Sequence, residues 1–381
     1  MKQLAFMLLA LFFFTACNLA NKEKEVIKIG AILPLTGDLS SYGVDTKLAL
    51  ELAVKQENEK GGIDNKKIVL IIEDSEGKAE NATKAANKLI NVDKVISILG
   101  PLSSPEVLAI APIANKNRIP IISPSSTDNA ITDAGDFVFR TINADYIENE
   151  AFSNFIKVNF NLPRISIIAN KAAGTLSYAN SFETYYLQSG GKIVRKELYD
   201  ESQKDFKNLI SKVLSDIPDA IYISGYSMEI GSIIRQLKQY NQKIQLLSYQ
   251  SAEDSKVVNI CGNLIDGLIY SSTTLPNNLL SGSRKAFNGE FEKEYSKKPG
   301  IFTAEIYDAM NIVLSSYKKT IKSGAALIDS LKTVNNFDGA SGVISFDKNG
   351  DVHKPIAIYR YSNKTPNPIF VVTEKSIKEI R

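Results

Sequence analysis

Between residues 95 and 129 the chain reads VISILGPLSSPEVLAIAPIANKNRIPIISPSSTDN, and this stretch limits the fold more than any other. Residues 95–100 form a short apolar run of buried-strand type, closed by Gly100 and Pro101. Ser103 and Ser104 precede Pro105, Glu106 and an apolar-periodic run of Val107, Leu108, Ile110, Ala111 and Ile113. Serine at the cap, proline at the first helical position and an acid in the first turn start a helix. A second strand follows over 119–122, and Pro124, Ser125, Ser126 and Thr127 make a second hydroxyl-rich turn. In a parallel α/β sheet both turns fall at the carboxyl ends of neighbouring strands, where such sheets bind ligands. Free N–H groups at a helix start, flanked by hydroxyls, suit a carboxylate. The same hydroxyls can also cap helices and bind nothing. On the residues alone both readings stand.

The rest of the chain extends the pattern. Strands are expected over 26–33 and 68–73, and helices over 46–58 and about 79–90, with 34–43 (PLTGDLSSYG) as a loop. After 137–141 (FVFRT) the alternation restarts. Helices are expected over 145–158, 175–188, 206–215 and 229–240, and strands over 164–169, 192–198, 220–224, 244–249 and 268–271. Helical runs follow over 285–296 and 304–322. The end reads differently: 339–347 leads to a Lys348-Asn349-Gly350-Asp351 turn, with strands over 356–361 and 369–372. Asn-Gly between alternating runs is a hairpin signal. Two successive α/β units in 381 residues predict two Rossmann-like lobes.

Acids and bases are interspersed, with a net charge of +3 and no basic stripe, which argues against a nucleic-acid partner. Met1-Lys2 precedes an apolar run over 4–16 and then Cys17. A basic start and a short apolar core describe a secretory signal, too short to span a bilayer. Phe14-Thr15-Ala16-Cys17 resembles a bacterial lipoprotein signal, with Phe where Leu is usual. That resemblance implies residues 1–16 as signal peptide, Cys17 as the lipidated first mature residue, and 17–25 as a tether to the cell envelope. Only Cys261 then remains, so no intramolecular disulfide is expected, and it reads as a small core residue. The single His353 lies in a turn over 349–353, and a metal site built on His and Cys is not expected.

Several stretches together resemble the solute-binding proteins of branched-chain amino acid ABC transporters, which have the type I periplasmic binding fold. They are ILPLTGDLSSYG (32–43), ENEKGGI (57–63) with Asp74, ILGPLSS (98–104), IPIISPSSTD (119–128), FVFRT (137–141), YDA (307–309) and GASGVISFDKNGD (339–351). The resemblance implies a three-crossing hinge near 143, 272 and 352. Lobe one would be 26–142 plus 273–352, and lobe two 143–272 plus 353–381. A small amino-acid-like solute would sit between the lobes, and closure would present a surface to the membrane permease. By the same resemblance Ser104 and Thr127 hold the carboxylate and ammonium groups of the solute. Leu102, Ser103, Ser125 and Ser126 complete the first-lobe wall, Tyr42 its rim, and Tyr226 and Gln250 are contacts from lobe two. Tyr307 and Asp308 match a motif read as packing. No cofactor is implied, and a monomer is expected.

Two departures bear on the solute. The lobe-two turn that usually reads Tyr-Gly is Ala173-Gly174, which implies a missing aromatic wall. Gln250 stands where an acid often meets the ammonium, and Glu253 or Asp254 could take that part if the local alignment slips. An enzyme is a poor alternative: Gly225-Tyr226-Ser227-Met228-Glu229 lacks the last glycine of a nucleophile elbow, and His353 is the only possible base of its kind. A ligand-binding sensor that signals to a separate receptor is the other alternative.

Overall fold

The computed structural model describes residues 25–380 except 201, 241, 242, 277, 278, 280, 374 and 375. The expected signal, Cys17 and the tether up to residue 24 therefore lie outside the described residues.

The first parallel sheet contains β1 (Ile27–Leu33), β2 (Ile68–Asp74), β3 (Ile98–Leu99), β4 (Ile121–Ser123) and β5 (Val138–Arg140), ordered β2-β1-β3-β4-β5. A second begins with β6 (Arg164–Asn170), β7 (Lys192–Tyr199), β8 (Ala220–Ser224), β9 (Gln245–Ser248) and β10 (Ile269–Ser272). These run parallel as β7-β6-β8-β9-β10, the same winding as the first. A short hairpin, β11 (Phe337–Gly339) with β12 (Gly342–Ile344), stands apart. The second sheet is then extended antiparallel by β13 (Ile356–Ser362), β14 (Thr365–Thr373) and β15 (Ser376–Glu379).

The helices are α1 (Ser40–Glu59), α2 (Ala79–Lys88), α3 (Ser104–Asn117), α4 (Asp145–Phe160), α5 (Ala173–Gln188) and α6 (Lys207–Ser215). They continue with α7 (Ser227–Tyr240), α8 (Ser255–Cys261), α9 (Gly282–Tyr295), α10 (Thr303–Thr320) and α11 (Ala325–Lys332). Apart from Lys28 near its start, strand β1 is apolar, because helices cover both faces of its sheet. On one face Ile29 and Leu33 share a core with Leu50, Phe291, Met310 and Leu327 from α1, α9, α10 and α11. On the other, Ile32 and Ile98 share one with Ala82, Val107 and Ile110. The second sheet is sandwiched likewise, by Phe152, Phe155 and Phe182 on one side and Ile210, Ile234 and Val257 on the other. Cys261 belongs to that last core and is buried, as expected.

The chain thus passes between the two layers three times: after β5, after β10, and beyond β12, where Val352 bridges Asn143. At the first and third passages Asn143 and Lys354 exchange hydrogen bonds, Asn143 Nδ2 to the Lys354 carbonyl at 2.9 Å and Lys354 N to Asn143 Oδ1 at 2.7 Å. Lys354 Nζ donates to the Thr141 carbonyl and to Ser341 Oγ, both at 2.6 Å. Two α/β layers are what the strand and helix pattern predicts, and their like winding and three passages are the type I periplasmic binding architecture that the family resemblance implies.

Two expectations change, and two helices are added. The Asn349-Gly350 turn does not close a hairpin, since β12 pairs with β11 and β13 pairs with β14. Asp347 instead accepts from the N–H groups of Asn349 and Asp351, and the turn packs against β5. Gly350 is required there: its φ is +81°, and a Cβ would meet the Val138 carbonyl. Helix α1 begins at Ser40, inside the expected loop. Helices α8 and α11 are additional to the sequence reading: Asp254 caps the first, and Leu327, Ile328 and Leu331 bury one face of the second.

Candidate functional site

The carboxyl ends of β3, β4, β6, β8 and β9 all point toward one cleft between the layers, with about 770 Å³ of empty space, part of it open to solvent. Its walls include Leu102, Ser103, Ser104 and Pro105 after β3, and Ser125 and Thr127 after β4. From the second layer come Gly174, Thr175 and Tyr178 after β6, Tyr226 after β8, and Tyr249, Gln250 and Ser251 after β9. Ile142 and Glu148 line it near the first passage, and Leu39, Tyr42 and Phe302 at the α1 end. This is the switch-point position at which open α/β sheets bind ligands, built twice and face to face.

In the first wall the polar groups are largely fixed by one another. Glu106 accepts from Ser103 Oγ at 2.5 Å and Ser103 N at 3.2 Å, so Ser103 serves the cap of α3. Ser125 Oγ donates to the Leu102 carbonyl at 2.6 Å, tying the two serine turns together. Ser104 Oγ accepts from Asp128 N at 3.3 Å and is almost wholly buried. Beneath them Arg140 donates to the Asp128 carbonyl at 2.9 Å and to Thr132 Oγ1 at 2.6 Å. It also pairs with Asp351, Nε to Oδ1 at 2.6 Å and Nη2 to Oδ2 at 2.9 Å. Both side chains are buried, so the FVFRT and KNGD stretches form one brace under the site.

Of the nine expected contacts, the cleft brings together Tyr42, Leu102, Ser103, Ser104, Ser125, Thr127, Tyr226 and Gln250. Ser126 is the correction. It is fully buried, its N–H donates to Ser123 Oγ at 3.2 Å, and it lies behind the wall instead of on it. The path of this turn sends Ser125 and Thr127 to the cleft and Ser126 between them into the interior.

The second wall is aromatic. Tyr178 and Tyr249 stack with centroids 4.3 Å apart, and the Tyr249 hydroxyl donates to the Gly225 carbonyl at 2.8 Å. The expected loss of an aromatic wall at Ala173-Gly174 is thus made up from α5 and the β9 turn. Gly174 faces Ser104 across the cleft: a Cβ there would lie 3.7 Å from Ser104 Oγ. Gln250 is buried and accepts from Thr273 Oγ1 at 2.9 Å. Neither Glu253 nor Asp254 reaches the cleft. Glu253 accepts from Ser272 at 2.8 Å, and burial pushes its carboxyl up to about 7. Asp254 caps α8 through Lys256 N at 2.9 Å. Tyr307 and Asp308 serve packing, as expected: Asp308 takes the Ala340 and Ser341 N–H groups, both at 2.7 Å.

Two acids that the sequence reading did not single out stand on α4. Glu148 lines the cleft, and burial raises its pKa against the pull of the Ser271 and Tyr178 hydroxyls. Asp145 is fully buried behind Thr127, and burial pushes its carboxyl up to about 7 while the Thr127 and Ser177 hydroxyls draw it down. An acid every third residue at a helix start, DYIE, looks like ordinary first-turn stabilisation, and only the fold turns it inward.

At the mouth the walls touch. The Tyr42 hydroxyl is bonded to Ser227 Oγ, which donates to Asp254 Oδ2 at 3.0 Å. Lys256 Nζ donates to Ser41 Oγ at 2.6 Å beside it. Among the described residues no three His, Cys, Asp or Glu side chains are grouped to hold a metal ion, and no helix is long and apolar enough to cross a membrane.

Comparison with known proteins agrees with this geometry. The chain is 26% identical over 330 residues to the leucine-, isoleucine-, valine-, threonine- and alanine-binding protein of Pseudomonas aeruginosa, covering 86% of this chain and 87% of that one. The crystal structure of the leucine binding protein LivK from Thermotoga maritima superposes with a TM-score of 0.85 at 28% identity, over 92% of this chain and 99% of the other. LivJ of Streptococcus pneumoniae, solved in complex with isoleucine, shares the fold with a TM-score of 0.84 at 24% identity, over 93% and 99% of the two chains. The family model for periplasmic binding proteins matches residues 26–366, and the chain belongs to that family.

Proposed function

We propose that this chain is the extracytoplasmic solute-binding component of an ABC importer, which captures a small amino-acid-like solute between two lobes and passes it to a membrane permease without altering it. The observation that carries this reading is the cleft itself. Turns from two sheets of like winding converge on it, and the start of α3 with Ser104 and Thr127 forms a polar end suited to a carboxylate. The amino-acid-binding name of the Pseudomonas relative supports the class of solute.

In this reading lobe one is 26–142 plus 273–352 and lobe two is 143–272 plus 353–381. Ser104 and Thr127 hold the charged head of the solute, Leu102, Ser103 and Ser125 shape the wall around it, and Tyr42, Tyr226 and Gln250 close it from the rim and from lobe two. The three passages act as the hinge. Lipid on Cys17 keeps the protein at the cell envelope, on the strength of the Phe14-Thr15-Ala16-Cys17 sequence.

A thermal-shift screen of the chain from residue 18 against amino acids, amides, short peptides and sugars tests this. A solute at a hundredfold excess over its Kd should stabilise the folded form by about 2.7 kcal/mol. The combined Ser104→Ala and Thr127→Ala substitutions should abolish the shift. Stabilisation by sugars alone would sink the amino-acid reading.

A further inference from the structure

Glu148 is the sole charged residue among those lining the cleft, and it is 2% exposed. Its Oε1 has no partner at hydrogen-bonding geometry among the described residues, and the polar groups beside it, the hydroxyls of Tyr178 and Ser271, are neutral. No lysine, arginine or histidine within salt-bridge distance balances it among the described residues. A buried carboxylate left in this condition is costly, and an ion brought against it is held correspondingly well. The stacked Tyr178 and Tyr249 rings belong to the same wall, and aromatic faces attract cations. Gln250, by contrast, is neutral, and its amide oxygen is taken by Thr273.

We propose that Glu148 meets a positively charged nitrogen of the bound solute, so that the cleft selects solutes carrying an amine and rejects simple carboxylic acids of the same shape. The inference rests on the solute-binding reading above and adds which solute class is taken and which residue selects it. The nitrogen is either the α-ammonium of an amino acid or a cationic group on its side chain.

The test is isothermal titration of the chain from residue 18, freed of bound solute by unfolding and refolding. The probes are leucine, 4-methylpentanoate (leucine without its amine), norleucine and lysine. The amine-bearing member of the leucine pair should bind about 10- to 100-fold more tightly than the acid. Glu148→Gln should remove that preference, and Glu148→Asp should keep part of it. Leucine and norleucine binding as tightly as lysine assigns the α-ammonium; lysine far above norleucine assigns a side-chain cation. The thermal midpoint without solute should not fall in Glu148→Gln, which separates lost recognition from lost folding. Should that variant fail to fold, Glu148→Asp carries the test, and an undiminished preference in it overturns the assignment to Glu148. Equal binding of leucine and 4-methylpentanoate, or an unchanged Kd in Glu148→Gln, overturns the inference while the solute-binding reading stands. If none of the four probes binds the unaltered chain, the amino-acid reading falls, and this inference with it.

Discussion

The two walls of the cleft are built on sheets of the same winding, β2-β1-β3-β4-β5 and β7-β6-β8-β9-β10, yet they are chemically unlike. The first is made of short hydroxyl-bearing turns whose polar groups hold one another: Ser103 with Glu106, Ser125 with the Leu102 carbonyl, Ser104 with Asp128. Arg140 and Asp351 brace it from below. The second is made of tyrosine rings over two buried acids, Glu148 and Asp145, whose side-chain partners are neutral hydroxyls and not at good hydrogen-bonding geometry. Winding decides where turns converge; side chains decide whether a wall is complete before the solute arrives. A complete wall sets position, because its donors are already oriented. An incomplete one sets selectivity, because only a solute with the matching group relieves it.

The brace offers the largest effect. Arg140→Ala leaves Asp351 buried without its cation and should destabilise the folded chain by about 3–5 kcal/mol, read from urea unfolding. A loss below about 1 kcal/mol would mean that the first wall stands without it.

Asp145 probes the opposite condition. Its carboxyl, held at about 7 by burial, binds a proton more readily in the folded chain than in the unfolded one. Its contribution therefore favours folding at acid pH and is lost as pH rises from about 4 to about 7. The other charges acting on it are Asp128, which raises its pKa, and Arg140, which lowers it. Asp145→Asn should flatten the dependence of the thermal midpoint on pH in that window and stabilise the chain by up to about 4 kcal/mol above it. An unchanged profile would show that the second wall is not under this load.

Smaller effects test the solute side of the comparison. Ser104→Ala, which removes one hydroxyl from the polar end, should weaken amino-acid binding by about 1.5–3 kcal/mol in titration, with stability nearly intact. Tyr42→Phe removes only the hydroxyl bonded to Ser227 across the mouth. Its cost to affinity should be about 0.5–1.5 kcal/mol, appearing as faster solute release in stopped-flow measurements.

The first wall was largely legible in the sequence. Ser-Ser-Pro-Glu announces a helix start, and Pro-Ser-Ser-Thr a turn, because capping and turn chemistry depend on residues a few positions apart. Ser126 escaped this logic, since which of two adjacent serines faces inward depends on the turn's path. The second wall was hardly legible. Tyr178 shares a helical period with Phe182 and Tyr186 and so reads as core, while Glu148 reads as a first-turn acid, and neither pattern tells that the residue lines a cleft.

By itself the sequence determined the alternation of strands and helices, the placing of the serine turns at strand ends, and the family to which the motifs point. Those are short-range properties: hydrophobic period, caps and turns. Only the tertiary structure decided that Arg140 pairs with Asp351, 211 positions away, that Asn349-Gly350 packs on β5 without closing a hairpin, and that the acid in the cleft comes from α4 and not from the β9 turn. These contacts join segments far apart in the chain. Which partner a buried charge finds there is settled by packing, not by its neighbours in sequence.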